Sequence, residues 1–286
     1  MRWHFGTMRP RIREQHGPFR RSVLSAVRER FAPVIDYAGK VPLVGFALRT
    51  VARQFPEGSV VRIRSGQASQ MLWRRHHRYV NGYWLGNYEY DVQLALVEHL
   101  DLGDVFYDVG ASAGFFTLLA AKRVGPSGRV FAFEPAQENL ESLHEQVTLN
   151  CLGQVEIVPR AVGRSTGIVS FSVDSANCSA GHVGAPSADR ERTENVEMTT
   201  LDEFARAHEL PTLVKLDVEG WETDALLGAS RLIARGTRFL IELHGRIQSE
   251  SVVRVLRDQQ YEFTGVDGSI AREPEKLHHL IASRRR

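Results

Sequence analysis

Residues 104–117 read Asp-Val-Phe-Tyr-Asp-Val-Gly-Ala-Ser-Ala-Gly-Phe-Phe-Thr, and this stretch decides the fold. The apolar, β-branched and aromatic run Val105–Val109 predicts a strand. Helical spacing over Phe115–Val124, followed by Gly-Pro, predicts a helix, and Val130–Phe133 predicts a second strand. Strand, turn, helix and strand make a βαβ unit, in which the carboxyl ends of the two parallel strands border one crevice.

The turn between the first strand and the helix has the spacing Asp-x-Gly-x-x-x-Gly, formed by Asp108, Gly110 and Gly114. A dinucleotide fold carries Gly-x-Gly-x-x-Gly, which lets bare backbone meet a pyrophosphate. An acidic tip would repel a diphosphate but suits a ligand with sulfonium and ammonium charges, such as S-adenosylmethionine. Glu134, at the end of the next strand, can accept hydrogen bonds from two ribose hydroxyls. The alternative is an ordinary βαβ turn with an acidic tip.

A second chemical stretch, residues 212–222, reads Thr-Leu-Val-Lys-Leu-Asp-Val-Glu-Gly-Trp-Glu. It predicts a strand over Leu213–Val218, a turn and then a helix. Because side chains alternate along a strand, Lys215, Asp217 and Glu219 are expected to share one face beside the Asp108 crevice. Such a set of charges is costly to place without a ligand or mutual pairing, so the alternatives are a binding site and a structural salt bridge.

Two flanking segments could add to the crevice. Small apolar residues Ala161 and Val162 follow the third predicted strand, and an adenine ring could lie flat on them. Gly167–Asp174 predicts an extra strand or a hairpin, and the Ser-, Gly- and Asn-rich residues 175–192 predict a loop. Aromatic residues crowd residues 73–90, where they indicate either a pocket floor or buried core.

The composition indicates one large α/β domain with an appendage, because the chain has 286 residues and is 43% hydrophobic. Two cysteines are too few for a disulfide framework or a zinc site, so a reducing, cytoplasmic location is expected. No apolar run approaches the roughly 20 residues of a membrane span. We divide the chain into a basic extension (1–55), an aromatic-rich cap segment (56–100) and a cofactor-binding domain (101–286).

The basic extension carries a formal charge of +8, from eleven Lys and Arg against three Asp and Glu, although the whole chain carries only +2. Such a leader could make weak peripheral contact with an anionic membrane. The alternative is a solvated extension, which is favoured because no amphipathic face with aromatic anchors accompanies the arginines. Nucleic acid is not expected as a partner, because the basic stretch contains no recognised nucleic-acid fold.

These residues resemble the FkbM family of S-adenosylmethionine-dependent methyltransferases over about residues 63–244. The block Lys-x-Asp-Val-Glu-Gly-x-Glu is the specific part of the resemblance, whereas Asp-x-Gly-x-x-x-Gly marks only the wider superfamily. Residues 111–113 read Ala-Ser-Ala where the family often has Ala-Asn-Ile. The matching segments are Gly86-x-Tyr88-Glu89, Asp108-Val-Gly-Ala-x-x-Gly114, Phe133-Glu134-Pro135, Asn150, Ala161-Val162-Gly163, Thr200-Leu-Asp202, Lys215-x-Asp217-Val-Glu219-Gly-x-Glu222 and Glu242-x-His244.

The resemblance implies a doubly wound α/β fold with a seven-stranded, mostly parallel sheet, an N-terminal cap and an antiparallel final strand over Leu277–Ala282. It implies an O-methyltransferase whose cofactor is S-adenosyl-L-methionine and whose acceptor is a hydroxyl of a small molecule, sugar or glycolipid. The residues expected to bind the cofactor are Glu89, Asp108, Gly110, Ala111, Gly114, Phe115, Glu134, Pro135, Ala161, Val162, Asp217 and Glu219.

Methyl transfer to an alcohol needs a group that takes the hydroxyl proton. Asp217 and His244 are the catalytic candidates, because both follow strand ends and a neutral histidine can accept a proton. Asp217 could instead hold the methionine ammonium, and His244 could be structural or orient the acceptor. Asp217, Glu219 and Glu242 could in principle form an oxygen site for a divalent metal, but no metal is predicted.

Two other classes of function remain open from the sequence. A nicotinamide-dependent oxidoreductase would need the dinucleotide glycine spacing, which the turn lacks. A catalytically decayed binding protein would lose its ligand-binding residues, whereas Asp108, Gly110, Gly114, Glu134 and Asp217 are all present.

Overall fold

The computed structural model describes residues 56–79, 82–174, 181–183 and 191–284. The predicted basic extension, residues 1–55, lies outside this part of the chain, and so does its proposed membrane contact.

Strands and helices alternate over residues 105–158, as the βαβ pattern predicts, and four further strands follow among the described residues before the next helix. The helices are α1 (Tyr90–His99), α2 (Phe115–Val124), α3 (Gln137–Leu149), α4 (Leu201–Phe204), α5 (Glu222–Leu227), α6 (Ser230–Arg235) and α7 (Arg246–Arg257). The strands are β1 (Val60–Arg62), β2 (Leu72–Arg74), β3 (Val105–Val109), β4 (Arg129–Phe133), β5 (Val155–Val158), β6 (Ala161–Val162), β7 (Gly167–Asp174), β8 (Gly181–Val183), β9 (Glu191–Thr199), β10 (Leu213–Leu216), β11 (Arg238–Glu242), β12 (Tyr261–Gly265) and β13 (His279–Arg284).

Seven of these strands form the central sheet, in the order β12-β13-β11-β10-β3-β4-β5. The five strands from β11 to β5 run parallel, and β13 lies antiparallel between β11 and β12. The predicted seven-stranded, mostly parallel sheet is therefore confirmed. The final strand begins and ends two residues later than predicted, because the N–H of Leu277 bonds to Pro274 O in a 3₁₀ turn.

Alternating side chains of the sheet form a separate core on each face. Tyr107 belongs to the core that contains Val252 of α7, whereas its neighbour Phe106 belongs to the core that contains Leu118 of α2. Each of these side chains is at most 1% exposed. Helices therefore cover both faces, and the free rim at the carboxyl ends of the parallel strands is left for a site.

The segment before the sheet is joined to α3 and its C-terminal cap by hydrogen bonds between backbone and side chains. β1 and β2 form an antiparallel pair, and the backbone N–H groups of Leu72 and Arg74 donate to the side chains of Asn150 and Gln146 at 2.8 and 2.9 Å. The aromatic residues are largely core here, since the ring of Tyr83 stacks on Phe115 with a centroid distance of 5.5 Å.

A second, four-stranded sheet has the order β6-β9-β7-β8. The predicted extra strand Gly167–Asp174 is confirmed, and β9 pairs with it along its whole length. The loop predicted over residues 175–192 is wrong at residues 181–183 and 191–192, which lie in β8 and β9. Composition misled here, because the small polar residues of this segment pair by backbone hydrogen bonds with β7. Across the residues that the structure describes, every helix is too short or too polar to cross a bilayer.

Candidate functional site

A cleft of about 210 Å³ opens at the carboxyl ends of β3, β4, β10 and β11. The residues of the first βαβ turn and the carboxylates after β10 border this single cavity. It is lined by Tyr83, Tyr88, Val109, Gly110, Ser112, Phe133, Glu134, Pro135, Asn139, Arg160, Ala161, Val162, Phe171, Val183, Asp217, Val218, Glu219, Trp221 and Glu242. We call the part around Asp108, Gly110 and Glu134 the turn end, and the part around Asp217, Glu219, Glu242 and His244 the carboxylate end.

Gly110 joins the two ends through the backbone. Its φ of +81° lies in the left-handed region, and a Cβ atom there would overlap the backbone oxygen of Asp217. The N–H groups of Gly110 and Ala111 both donate to Phe133 O at 3.0 Å. Only glycine lets β3 bend toward β4 while its turn rests against the chain that follows β10.

Glu134 is fixed by the backbone on both oxygens. Oε2 accepts from Ser112 N–H at 2.8 Å and Oε1 accepts from Ala136 N–H at 2.9 Å. The side chain is 4% exposed, and burial raises its pKa to about 7 although these hydrogen bonds oppose the rise. The side chain of Asn139 also donates to this carboxylate, which keeps part of its acceptor capacity for a ligand hydroxyl.

Asp108 lies beneath the turn and is fully buried. Its Oδ2 accepts from Thr117 Oγ1 at 2.6 Å, whereas Oδ1 is a buried oxygen without a hydrogen-bond partner among the described residues. Burial raises the pKa of this carboxyl, and the charge of nearby Lys215 works against the rise. A buried carboxylate oxygen without a partner is costly and indicates that a donor is still missing.

Lys215 and Asp217 form the salt bridge that the sequence left open, with Nζ 2.8 Å from Oδ2. Lys215 is 3% exposed and its ammonium also lies 5.2 Å from the ring centre of Phe116. Burial disfavours the ammonium, but Asp217 and Asp108 outweigh burial and raise the pKa of Lys215. The ion pair therefore has a structural part, yet Asp217 also lines the cleft.

His244 lies at the centre of three carboxylates. Nδ1 is 2.9 Å from Glu222 Oε1, and Nε2 is 3.3 Å from Glu242 Oε1 and 3.4 Å from Glu219 Oε2. Burial would lower the pKa of the imidazole, but these carboxylates outweigh burial and raise it to about 11. These carboxylates therefore favour the protonated imidazole, whereas the sequence analysis expected a neutral histidine at this position.

The carboxylates around His244 differ in their own environments. Glu222 is fully buried and accepts from Gly220 N–H at 3.0 Å, whereas the Glu219 side chain is 37% exposed. Burial raises the pKa of Glu219 to about 7, helped by repulsion from Asp217. Burial also acts on Glu242, but hydrogen bonds from His244 and His279 outweigh it and lower the pKa of Glu242.

Glu89 reaches the same end from the start of α1. His279 Nε2 lies 3.6 Å from Glu89 Oε2 and 3.3 Å from Glu242 Oε2. Burial, with repulsion from Glu242 and Asp217, raises the pKa of Glu89 to about 7. Glu89 was predicted to bind a cofactor, and the structure places it beside the carboxylate end.

Some residues that were predicted to bind the cofactor pack in the core and do not line the cleft. Gly114 has φ +93°, and a Cβ there would lie 2.6 Å from Leu143 Cδ1, so this glycine lets α2 approach α3. Ala111 packs in the same small core as Leu143. Phe115 is 3% exposed and belongs to the aromatic core under Tyr83. These residues shape the turn from below, and their predicted cofactor contact stays a prediction.

Sequence reasoning missed several residues that complete the site. Glu222 was recognised only as part of a motif, and His279 was not singled out, although one holds His244 and the other faces Glu242. Trp221 lines the cleft with a buried indole N–H that has no hydrogen-bond partner within the described chain. The sequence offered a signal for Glu222, which follows Asp217 and Glu219 after β10. It offered none for His279, whose position depends on the pairing of β13 with β11.

Comparison with known proteins gives a family match. A sequence model described as "Methyltransferase FkbM domain" matches residues 108–263, which contain the turn end and the carboxylate end.

A relative and two solved structures that are similar to this chain are also described as methyltransferases. The Hexuronic acid methyltransferase AglP of Haloferax volcanii is 27% identical over 174 residues, which cover 59% of this chain and 68% of that protein. Methyltransferase FkbM from Methylobacillus flagellatus KT has 18% identity and a TM-score of 0.44, and the match covers 87% of this chain and 60% of that one. An O-methyltransferase from Thermotoga maritima has 14% identity and a TM-score of 0.43, with 83% and 82% covered.

Proposed function

The chain belongs to the FkbM family of methyltransferases, and we propose that it transfers a methyl group from S-adenosyl-L-methionine to a hydroxyl oxygen of a saccharide or a related small molecule. The observation that carries this proposal is the single cleft, in which the turn end and the carboxylate end meet at Gly110 and Asp217. A donor and an acceptor must be held in one cavity for a direct transfer between them.

The turn end fits the cofactor. Glu134 offers two oxygens, each already oriented by a backbone N–H, to the two hydroxyls of a ribose. The unpartnered oxygen of Asp108 and the carboxylate of Asp217 favour a ligand with positive charge. Small side chains of Ala161 and Val162 leave a flat apolar wall for a base. When bound, the cofactor supplies a methyl group activated by its sulfonium.

The carboxylate end fits an acceptor that is rich in hydroxyl groups. Three carboxylates line the cleft at this end, those of Asp217, Glu219 and Glu242. Their oxygens can accept hydrogen bonds from hydroxyl groups. A saccharide acceptor is also supported by the relative from Haloferax volcanii, whose name states that it methylates hexuronic acid.

We propose that Asp217 and His244 both act on the acceptor's hydroxyl, and that the charge of each residue decides its role. The neighbouring carboxylates raise the pKa of His244, so we assign it to donate a hydrogen bond that orients the hydroxyl. Asp217 is the proton acceptor, and burial raises its pKa despite the opposing charge of Lys215. Glu219, with a pKa of about 7, stands next to His244 as a second carboxylate that can receive the proton.

Calorimetry of the full chain with S-adenosylmethionine, S-adenosylhomocysteine and NAD tests the cofactor assignment. We expect binding of the two adenosyl ligands and none of NAD, because the turn lacks the dinucleotide spacing. Preferential binding of NAD would instead support an oxidoreductase. Incubation with isotopically labelled S-adenosylmethionine and a panel of neutral and uronic saccharides then identifies the acceptor. Cofactor binding without transfer to any member of a metabolite-wide panel would favour a decayed binding protein.

A further inference from the structure

Residues 82–89, which we call the strap, lead into α1 and form part of the cleft wall. The side chains of Tyr83 and Tyr88 both line the cleft. The strap contains one 3₁₀ turn, Tyr83–Leu85, and none of the described strands pairs with it. Contacts other than those of a sheet must therefore set the position of the strap against the cleft.

A buried side chain of α1, that of Gln93, holds the strap by its backbone. Nε2 donates to Gly86 O at 3.1 Å and to Tyr88 O at 2.6 Å, and Oε1 accepts from Gln67 N–H at 2.8 Å. Gln93 is 0% exposed. Both amide hydrogens and the carbonyl oxygen are used, so the pattern requires a glutamine amide in this one orientation.

Two glycines let the strap lie directly against residues 63–67. Gly66 and Gly86 have φ angles of +70° and +82°. A Cβ on Gly66 would overlap Gly86 O, and a Cβ on Gly86 would overlap Ser65 O. The carbon added to Gly66 would also lie 2.6 Å from Gln93 Oε1. Two backbone segments and one amide meet at this point, so the strap cannot shift without breaking their contacts.

The strap places Tyr88 and Glu89 beside Asp217. The Tyr88 ring packs edge-on against Phe115 with a centroid distance of 5.6 Å, and its hydroxyl is hydrogen-bonded to the Glu89 side chain. Burial raises the pKa of that hydroxyl, and the nearby charge of Asp217 adds to the rise. Glu89 has a left-handed φ of +42°, and its carbonyl oxygen accepts from the N–H of Gln93 at 3.1 Å. Gln93 therefore contacts both residues through their carbonyl groups.

We propose that Gln93 is a positioning residue, which fixes the strap so that Tyr88 lies against the sulfonium of the bound donor. The inference rests on the proposed function. Aromatic side chains attract cations, so tyrosines beside the carboxylate of Asp217 suit this charge. Gln93 itself does not line the cleft and acts through the strap.

Gln146 provides a matched control away from the cleft. It is also 0% exposed, its Oε1 accepts from Arg74 N–H and its Nε2 donates to Arg74 O, both at 2.9 Å. These bonds join α3 to β2, and neither residue lines the cleft. Gln93→Met and Gln146→Met each remove buried hydrogen bonds at similar side-chain volume, so both variants should have lower melting temperatures.

Calorimetry of the full chain with S-adenosylmethionine and S-adenosylhomocysteine separates positioning from stability. In Gln93→Met the affinity for S-adenosylmethionine should fall by about tenfold, and that for S-adenosylhomocysteine should fall less, because only the first ligand carries a sulfonium. Gln146→Met should keep the wild-type affinity for both. Hydrogen exchange of the ligand-free proteins, followed by mass spectrometry, should be faster in residues 82–89 of Gln93→Met but not of Gln146→Met.

Gln93→Glu is the second variant, in case the methionine variant does not fold. Its carboxylate still accepts from Gln67 N–H, but it can donate to one of the two strap carbonyls only when it is protonated. The affinity for S-adenosylmethionine relative to the wild type should therefore recover as the pH falls from about 8 to about 6.

Wild-type affinity for S-adenosylmethionine in the Gln93 variants would overturn the proposal, and so would equal losses for the two adenosyl ligands. Equal losses in Gln93→Met and Gln146→Met would also overturn it, since they would reflect stability alone. If the wild type binds neither adenosyl ligand, the proposed function fails. If the wild type binds both and Gln93→Met binds them equally well, the positioning role alone fails.

Discussion

The turn end and the carboxylate end of the cleft are built from different materials. At the turn end, backbone N–H groups of Ser112 and Ala136 hold Glu134, and a glycine sets the bend. At the carboxylate end, side chains hold side chains, and His244 is surrounded by carboxylates from separate segments. The turn end therefore offers a binding surface fixed by the backbone. The carboxylate end holds titratable side chains, whose protonation can change during a reaction.

The largest effect is expected from changes that act on turnover at the carboxylate end. Asp217→Asn should slow methyl transfer by roughly 100-fold to 10,000-fold, because loss of a general base typically costs this much. His244→Ala should also slow transfer while the affinity for S-adenosylmethionine stays the same. Single-turnover assays with labelled donor measure both. Wild-type turnover in His244→Ala at every pH tested would remove this histidine from the chemistry.

Asp217→Asn also shows whether Asp217 contacts the donor, the acceptor or both. If Asp217 holds the donor's ammonium group as well as acting on the acceptor, the variant should lose donor affinity together with rate. A loss of rate alone would assign Asp217 entirely to the acceptor. Donor calorimetry on the variant separates these outcomes.

The next effect concerns Gly110, which belongs to both ends. Gly110→Ala should abolish donor binding, because the new methyl group meets the Asp217 backbone. A strained φ alone costs about 1 to 3 kcal/mol, and the free energy of unfolding should fall by more than this. Gly268→Ala is the matched control, with φ +80° and nothing within 4 Å of the added carbon. Chemical denaturation compares them, and equal losses in the two variants would disprove the close-approach explanation.

A smaller effect is expected at the base of the turn end. Asp108→Asn keeps the shape of the side chain and removes its charge, so donor affinity should fall by about tenfold to a hundredfold. Its melting temperature should fall as well, because Asp108 is fully buried near Lys215. Calorimetry and thermal unfolding measure the two quantities. Unchanged donor affinity would show that Asp108 serves only the core.

The smallest effect is a pH dependence of stability at the carboxylate end. The pKa of His244 is raised from 6.5 to about 11, so the folded chain keeps a proton that the unfolded chain releases above pH 6.5. Stability from this group is complete below pH 6.5 and declines as the pH rises toward 11. With chelator and no ligand, the wild-type melting temperature should fall between pH 7.5 and 9, and His244→Ala should show a flatter profile. An identical slope in both proteins would contradict the charge assigned to His244.

The turn end could be predicted from the sequence, because its residues lie close together in the chain. Asp108, Gly110 and Glu134 lie within 27 consecutive residues of one βαβ unit, and their placement follows from the handedness and order of that unit. The strands of the parallel sheet were predicted for the same reason, since short apolar runs bounded by turns identify them. Local patterns therefore suffice for the turn end.

The carboxylate end needed long-range information. His279 meets Glu242 because β13 pairs antiparallel with β11 in the register that places these two residues opposite each other. Glu89 reaches Glu242 through the packing of a helix that precedes the sheet by sequence. The protonation of His244 depends on three carboxylates whose distances only the folded chain defines. Composition and spacing contain none of this, and the role of His244 in the reaction stays a prediction.

The most direct test is to measure S-adenosylmethionine affinity side by side for the wild type, Glu134→Ala and His244→Ala by calorimetry. The division of the cleft predicts that Glu134→Ala binds the donor about tenfold to a hundredfold more weakly, since a charged hydrogen-bond acceptor is lost, whereas His244→Ala binds it as the wild type does. Failure of the wild type to bind the donor, or equal losses in the two variants, would contradict a cleft with a donor end and an acceptor end.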